Sequence, residues 1–158
     1  MVSSKDGDTV LQVDGNTKNN TNKKNPMPKH PVEIEYWYIL PSIRREISTY
    51  LKNEKNLKQK MIAKILGITE AGVSQYLKGT RGVLKGSDDQ IIEIPKWIKE
   101  EVAFSCDLIL KDIDDQNIFL REVNRILLVI RERSKEFLCK IHFDLGYAEE
   151  DCNICLES

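Results

Sequence analysis

The stretch that most constrains the fold of this chain is residues 59–78, which read QKMIAKILGITEAGVSQYLK. Apolar residues recur at helical spacing in its first half and again in its second half, which predicts two short amphipathic helices. Gly67 ends the first helix, because glycine tolerates the positive φ of a tight turn, and Thr69 is a good N-cap for the second. The small residue Ala63 lets the two helices approach closely. Together these features predict a helix-turn-helix.

The second predicted helix leaves one face for solvent or for a partner. Its inward stripe consists of Val73, Tyr76 and Leu77. Serine and glutamine side chains read base edges in the major groove of DNA, and lysine binds phosphate. A plain helical hairpin is the alternative, but the alanine, the glycine and the N-cap stand where the motif needs them. The candidate DNA-contacting residues of this helix are Thr69, Glu70, Ala71, Ser74, Gln75 and Lys78.

The sequence around this stretch resembles a known family. The runs LPSIRREI at 40–47 and KQKMIAKILGITEAGVSQYLKGTRG at 58–82 resemble archaeal transcriptional regulators of the phage-repressor-like helix-turn-helix superfamily. The resemblance covers about residues 33–158 and is most specific in the motif helices and in the cysteine-bearing tail. It implies a sequence-specific regulator that binds double-stranded DNA, in many such proteins as a dimer.

Three arginines flank the motif. Residues 79–82, GTRG, resemble the segment that follows the recognition helix in this family, where Arg81 would contact the DNA backbone. Arg44 and Arg45 precede the motif on another predicted helix. From the pattern alone, these two side chains either approach DNA phosphates or face solvent.

Charge is distributed unevenly along the chain, although the net charge is only −1. Residues 41–82 hold nine Lys and Arg against three Glu, a balance of +6, whereas residues 88–158 hold nine against seventeen Asp and Glu, a balance of −8. A basic region next to an acidic one fits a protein whose first part meets phosphates. The alternative is a solvated basic face on an ordinary helical domain, and the coincidence with the motif favours the first interpretation.

Composition divides the chain into three parts. Residues 1–30 are rich in Asn, Lys and Thr and are expected to form a disordered tail. Residues 31–84 are expected to form the DNA-binding domain, beginning with a helix over 41–53, because proline suits the first turn of a helix. A glycine-containing linker, 85–89, leads to an acidic helical domain at 88–158. The predicted fold class is all-α.

The acidic domain carries two long helical patterns. One spans 91–113, with Pro95 in its first turn, and the other spans 118–138. The second pattern has an apolar stripe that is wider than one packing partner requires. We therefore expect a homodimer, in which a second subunit covers part of the stripe. The residues that widen the stripe are Leu120, Leu128 and Val129.

The tail contains two pairs of metal-ligand residue types at short spacing. Cys139 and His142 form a CxxH pair, and Cys152 and Cys155 form a CxxC pair that nine residues separate from the histidine. Two such pairs separated by a short loop fit a tetrahedral zinc site. Cys106 is a rival fourth ligand, and an all-cysteine set would also suit an iron–sulfur cluster. The alternative is that Cys106 is a core residue and His142 an ordinary surface histidine.

Other classes of protein receive less support from the sequence. No run approaches the ~18 apolar residues of a membrane helix, and the N-terminus lacks the apolar core of a signal peptide, so we expect a cytoplasmic protein. An enzyme with Cys139 as nucleophile and His142 as base would need oxyanion donors and a pocket that cannot be identified. The remaining alternative is a scaffold that uses the helix-turn-helix to bind other proteins, with purely structural cysteines.

Overall fold

The structure is a computed structural model that describes residues 30–133 and 136–152. The predicted all-α class is confirmed for these residues, which pair as strands only in an isolated bridge between Lys85 and Ile91. No helix in the described ranges combines the length and the apolarity that crossing a membrane requires. The elements are α1 (Pro31–Ile34), a π-helical segment (Glu35–Ile39), α2 (Leu40–Asn53), α3 (Gln59–Leu66), α4 (Glu70–Lys78), α5 (Lys96–Lys111), α6 (Ile118–Glu132) and α7 (Leu138–Asp144).

The chain runs as one helical rod from α1 through the π-helical segment into α2. His30, at the end of the predicted tail 1–30, caps this rod, since its side chain accepts a hydrogen bond from the Val32 N–H; the rest of that tail lies outside the described residues. Pro41 has no N–H to donate, and proline disturbs the preceding turn of a helix. The backbone accommodates it by widening to an i→i−5 bond from Leu40 to Glu35. The predicted helix over 41–53 is present, and the residues before it are helical too.

The core is built around α2. Its residues Ile43, Ile47 and Leu51 are completely buried, at steps of four that keep them on one face. This helix contacts α3 and α4 as well as α5. Burying one such side chain contributes about 1.5–3 kcal/mol relative to leaving it exposed, so this stripe is a large part of the stability.

Helices α5 and α6 form the second packed pair, held together by apolar side chains and by a partly buried polar network. The Ser105 hydroxyl donates to Glu122 Oε1 at 2.7 Å, and Arg125 Nε donates to the same oxygen at 3.0 Å. Arg125 also reaches Glu101 Oε1 at 2.6 Å. Because Glu122 is buried, these donors are what makes its charge tolerable there. The network therefore fixes the register of α5 against α6.

Two polar contacts attach the N-terminal rod to later parts of the chain. Arg131 on α6 makes a two-pronged ion pair with buried Glu35, with nitrogen–oxygen distances of 2.8 and 2.7 Å. The hydroxyls of Tyr38 and Tyr147 lie 2.9 Å apart. Burial and this hydrogen bond raise the pKa of Tyr38 to about 12. The rod is thus fixed to α6 and to the segment after α7.

The predicted helix over 91–113 starts too early. In the structure α5 begins at Lys96, and Pro95 is its N-cap, with ψ at 148°. The isoleucines before it do not continue the helix, because the N–H of Ile92 donates instead to the carbonyl of Leu84. Proline lacks the N–H that an interior helical position would use, and it stands here at the boundary.

The predicted helix over 118–138 is also wrong, because the structure divides it. Helix α6 ends at Glu132, where Arg133 leaves the helical conformation with φ −111° and ψ 38°. A separate helix, α7, starts at Leu138, and both Phe137 and Leu138 are buried in the core. Apolar residues continue across the break with nearly helical spacing, so the sequence pattern does not reveal it.

The segment between α4 and α5 folds on itself and also contacts the end of α7. Lys85 pairs with Ile91 in the isolated bridge, and the Ser87 N–H donates to the carbonyl of Asp144 at the end of α7, at 2.8 Å. The residues predicted to form a linker, 85–89, are therefore tied to the C-terminal part of the chain.

Gly82 marks a tight approach between this segment and α2. Its φ is +85°, a conformation that side chains with a Cβ rarely adopt. A Cβ built at this position would lie 2.7 Å from the carbonyl oxygen of Pro41 and 2.8 Å from the Cβ of Arg45. The missing side chain lets the segment lie directly against the first turn of α2.

We predict that Gly82→Ala lowers the free energy of unfolding by about 2–4 kcal/mol, the sum of backbone strain and overpacking. Gly67→Ala is the matched control: Gly67 also has a positive φ, +70°, but no atom lies within 4 Å of a Cβ built there. Only the backbone strain, about 1–2 kcal/mol, is expected for the control. Chemical denaturation of the two variants and the wild type measures both values, and equal losses would contradict the close contact at Gly82.

Candidate nucleic-acid interface

Helices α3 and α4 are joined by a three-residue turn whose geometry is set by two residues. Gly67 ends α3 in the left-handed conformation, and the Ile68 N–H donates to the carbonyl of Ala63 at 3.1 Å. Thr69 caps α4, since its hydroxyl accepts a hydrogen bond from the Gly72 N–H at 3.0 Å. The predicted roles of Gly67 and Thr69 in this turn are confirmed. The turn fixes the direction in which α4 leaves α3.

The apolar faces of this helix pair turn inward. On α3, Ile62, Ala63 and Leu66 are buried, and on α4, Val73 and Tyr76 are completely buried. Gly72, which has no side chain, is buried as well. The opposite face of α4 is left at the surface. Of the predicted DNA-contacting residues on this helix and at its cap, Ser74 is half-buried. The others are exposed: Thr69, Glu70, Ala71, Gln75 and Lys78.

Arg81 lies back along α4 rather than extending freely into solvent. Its guanidinium carbon is 4.9 Å from the centre of the Tyr76 ring, a cation–π contact. One terminal nitrogen stands 3.8 Å from where a Cβ on Gly72 would be. Arg81 is therefore held beside α4 by an aromatic ring while the residue as a whole stays exposed. This places a cation next to the exposed face of that helix.

The two arginines of α2 are half-buried. Arg45 lies beside the turn that follows α4, because its Cβ packs against Gly82, and its guanidinium is 3.6 Å from Glu46. Arg44 has its Nε atom buried. Arg45 thus lies beside Gly82, the residue that follows Arg81, while Arg81 itself lies along α4.

The ion pairs are unevenly distributed over the surface. Every arginine of α6 pairs with a carboxylate, and so does Arg133, which follows that helix. Three lysines do the same: Lys55, Lys96 and Lys140. Of the ion pairs formed within residues 30–133 and 136–152, none involves Lys78 or Arg81. Lys78 and Arg81 are therefore two cations on or beside α4 that no ion pair of the described residues neutralises, and positive charge of this kind attracts a polyanion.

Two further cations of the same region were not among the predicted DNA-contacting residues. Lys60 and Lys64 are exposed on α3 and, like Lys78, take no part in the ion pairs of the described residues. They lie four positions apart, which puts them on one face of α3. The sequence did contain a signal, since Lys60 and Lys64 fall at helical spacing outside the apolar face that Ile62 and Ala63 define. They add two exposed cations on α3 to those of the neighbouring helix α4.

The candidate metal ligands are placed as follows. Cys106 is completely buried on α5, His142 is buried on α7, and Cys139 and Cys152 are half-buried. Among residues 30–133 and 136–152, no three His, Cys, Asp or Glu side chains lie close enough together to hold a metal ion. Cys155 lies outside the described residues, so a zinc or iron–sulfur site that includes it stays a prediction.

Burial changes the acid–base chemistry of two of these side chains. It raises the pKa of the Cys106 thiol to about 12, with a smaller contribution from the negative charge of Asp107. Burial also lowers the pKa of His142, with a smaller contribution from the positive charge of His30. Both shifts favour the neutral form of the side chain. A thiol must lose its proton to bind a metal, so this position of Cys106 favours its role as a core residue over that of a ligand.

No protein-family model, no curated protein and no solved structure matches this chain. The resemblance to helix-turn-helix regulators therefore stays a prediction from the sequence.

We predict that Cys106 resists alkylation in the native protein while Cys139 and Cys152 react. A rise in pKa from 9.0 to about 12 lowers the thiolate fraction of Cys106 roughly a thousandfold near neutral pH, and burial adds a steric barrier. Iodoacetamide labelling at pH 8 in the presence of a chelator, followed by peptide mass spectrometry, measures the three rates. Labelling in denaturant is the control and should make the rates similar. Equal native rates would contradict the burial of Cys106.

Proposed function

We propose that this protein is a sequence-specific DNA-binding transcriptional regulator. In this proposal α3 and α4 form a helix-turn-helix, α4 is the recognition helix, and α5 to α7 belong to an acidic helical domain that follows it. The observation that carries the proposal is the exposed polar face of α4, bordered by cations that take no part in the ion pairs of the described residues.

The geometry of α4 supports this role. Its inward face is buried and its capped N-terminus is fixed by the turn after α3, so its outer face is presented by a rigid support. Ser74 and Gln75 stand in the middle of that face, where a helix in the major groove meets base edges. Lys78 stands at its C-terminal end, and Arg81 lies back along the helix beside Tyr76 and Gly72. Contacts of these two cations with phosphates would set the position of the helix on the duplex.

The charge of the surrounding surface supports a nucleic acid over a protein partner. A scaffold that binds other proteins would present an interface depleted of charge in its centre, with aromatic residues enriched there. The outer face of α4 instead carries Glu70, Gln75 and Lys78, and it has no exposed large apolar side chain. This composition fits a wet, polar interface with DNA.

We predict that Lys78→Ala weakens binding to every duplex by a similar factor and reduces the slope of log affinity against log salt by about one counterion. The physical reason is the loss of one phosphate contact with no loss of base contacts. Fluorescence anisotropy at several salt concentrations measures the slope. Lys99→Ala is the matched control, since Lys99 is an exposed cation on α5 rather than on α3 or α4. Binding that ignores salt in the wild type would instead favour the scaffold.

We predict that Gln75→Ala removes about 1–3 kcal/mol of discrimination at one base position and leaves non-specific affinity nearly unchanged. Selection from random duplex DNA, performed in parallel for both proteins, shows which position loses its preference. Gln90→Ala, an exposed glutamine before α5, should select the same sequence as the wild type. If Gln75→Ala selects that sequence too, α4 does not read the bases through Gln75.

A further inference from the structure

The side chain of Arg81 is supported by a ring that cannot easily move. Its guanidinium carbon lies 4.9 Å from the centre of the Tyr76 ring. Tyr76 is completely buried on the inward face of α4, so the close-packed core fixes the ring. Arg81 is exposed and takes part in none of the ion pairs within residues 30–133 and 136–152. The guanidinium is therefore held in place and still available to a ligand.

The chemistry of the guanidinium indicates what that ligand is. The group carries five N–H donors, and a cation–π contact gives these donors no acceptor oxygen. A phosphate supplies such oxygens and accepts two parallel hydrogen bonds from arginine. A long side chain loses rotational freedom when it binds, and one that is already held by a ring loses less. A lysine would keep the charge but not the planar donor group.

The guanidinium lies at a different level of α4 from the other cation of this helix. One of its terminal nitrogens is 3.8 Å from where a Cβ on Gly72 would be, and Gly72 is the third residue of α4. Lys78 is the last residue of the same helix. The six steps from Gly72 to Lys78 correspond to about 9 Å along the helix axis. The two cations are thus far enough apart to bind different phosphates.

We propose that Tyr76 is a positioning residue for DNA binding, whose ring holds Arg81 ready for a phosphate beside the first turn of α4. This inference rests on the proposed function and adds a requirement to it. Tyr76 acts on the DNA contact through Arg81, in addition to filling the core. Position 81 then requires arginine, and a positive charge alone is not sufficient.

Substitutions of Tyr76 separate its contact with Arg81 from its place in the core. Tyr76→Phe keeps the ring, and the hydroxyl that it removes is buried without a hydrogen-bond partner in the described part of the chain. Tyr76→Leu removes the ring and also leaves space in the core. Val73→Ala is the structural control, because Val73 is completely buried on the same helix and its truncation leaves the ring in place. Circular dichroism shows which variants are folded.

The first test is affinity for a duplex of random sequence, measured by fluorescence anisotropy at several salt concentrations. Arg81→Ala and Tyr76→Leu should each weaken binding about three- to tenfold, because the first removes the contact and the second its support. Arg81→Lys should keep the salt slope of the wild type but bind as weakly as Tyr76→Leu. Combining Tyr76→Leu with Arg81→Ala should cost no more affinity than Arg81→Ala alone. Tyr76→Phe and Val73→Ala should bind like the wild type.

The second test uses the free protein. The ring current of Tyr76 should move the NMR signals of the Arg81 side chain upfield, and this shift should persist in Tyr76→Phe and disappear in Tyr76→Leu. If Tyr76→Leu does not fold, Arg81→Lys decides the matter. With a wild type that binds DNA, the positioning role alone is overturned by a missing ring-current shift, by additive losses in the double variant, or by Arg81→Lys binding like the wild type. A wild type that does not bind DNA overturns the proposed function as well.

Discussion

The packing of α2 is the interaction on which the rest of the structure depends. Its buried stripe, Ile43, Ile47 and Leu51, belongs to the same hydrophobic cluster as the inward faces of α3, α4 and α5. Neither the α3–α4 pair nor the α5–α6 pair encloses a complete core by itself. The orientation of the exposed face of α4 is therefore set by the helix that also supports α5.

The features that could be predicted from the sequence are those that depend only on neighbouring residues. The turn at Gly67 and Thr69 depends on a backbone conformation and a cap that involve only neighbouring residues, and the structure contains both. The outward position of Gln75 and Lys78 follows from helical periodicity once Val73 and Tyr76 are buried. These features need no knowledge of the remaining chain, so a short motif suffices to predict them.

The features that the sequence did not reveal depend on distant partners. Glu35 and Arg131 are 96 positions apart, and no local pattern connects them. The cation–π contact of Arg81 with Tyr76 joins a residue after α4 to a ring that is itself completely buried. The helix break after Glu132 is concealed because buried apolar residues continue on both sides of it. Helical spacing alone did not decide whether Cys106 is a core residue or a metal ligand. Its complete burial, which depends on distant parts of the chain, favours the core residue.

The shared core has a consequence for how the molecule opens. Because one hydrophobic cluster extends from α2 to α7, the amide hydrogens in the middle of α2 can exchange with solvent only when that cluster is disrupted. They should be among the slowest to exchange, with α4 protected through its contact with α2. A chain cut after residue 84 would lack α5 and so expose the side of α2 that α5 covers. The helix pair that faces the proposed ligand thus takes its rigidity from residues that never approach it.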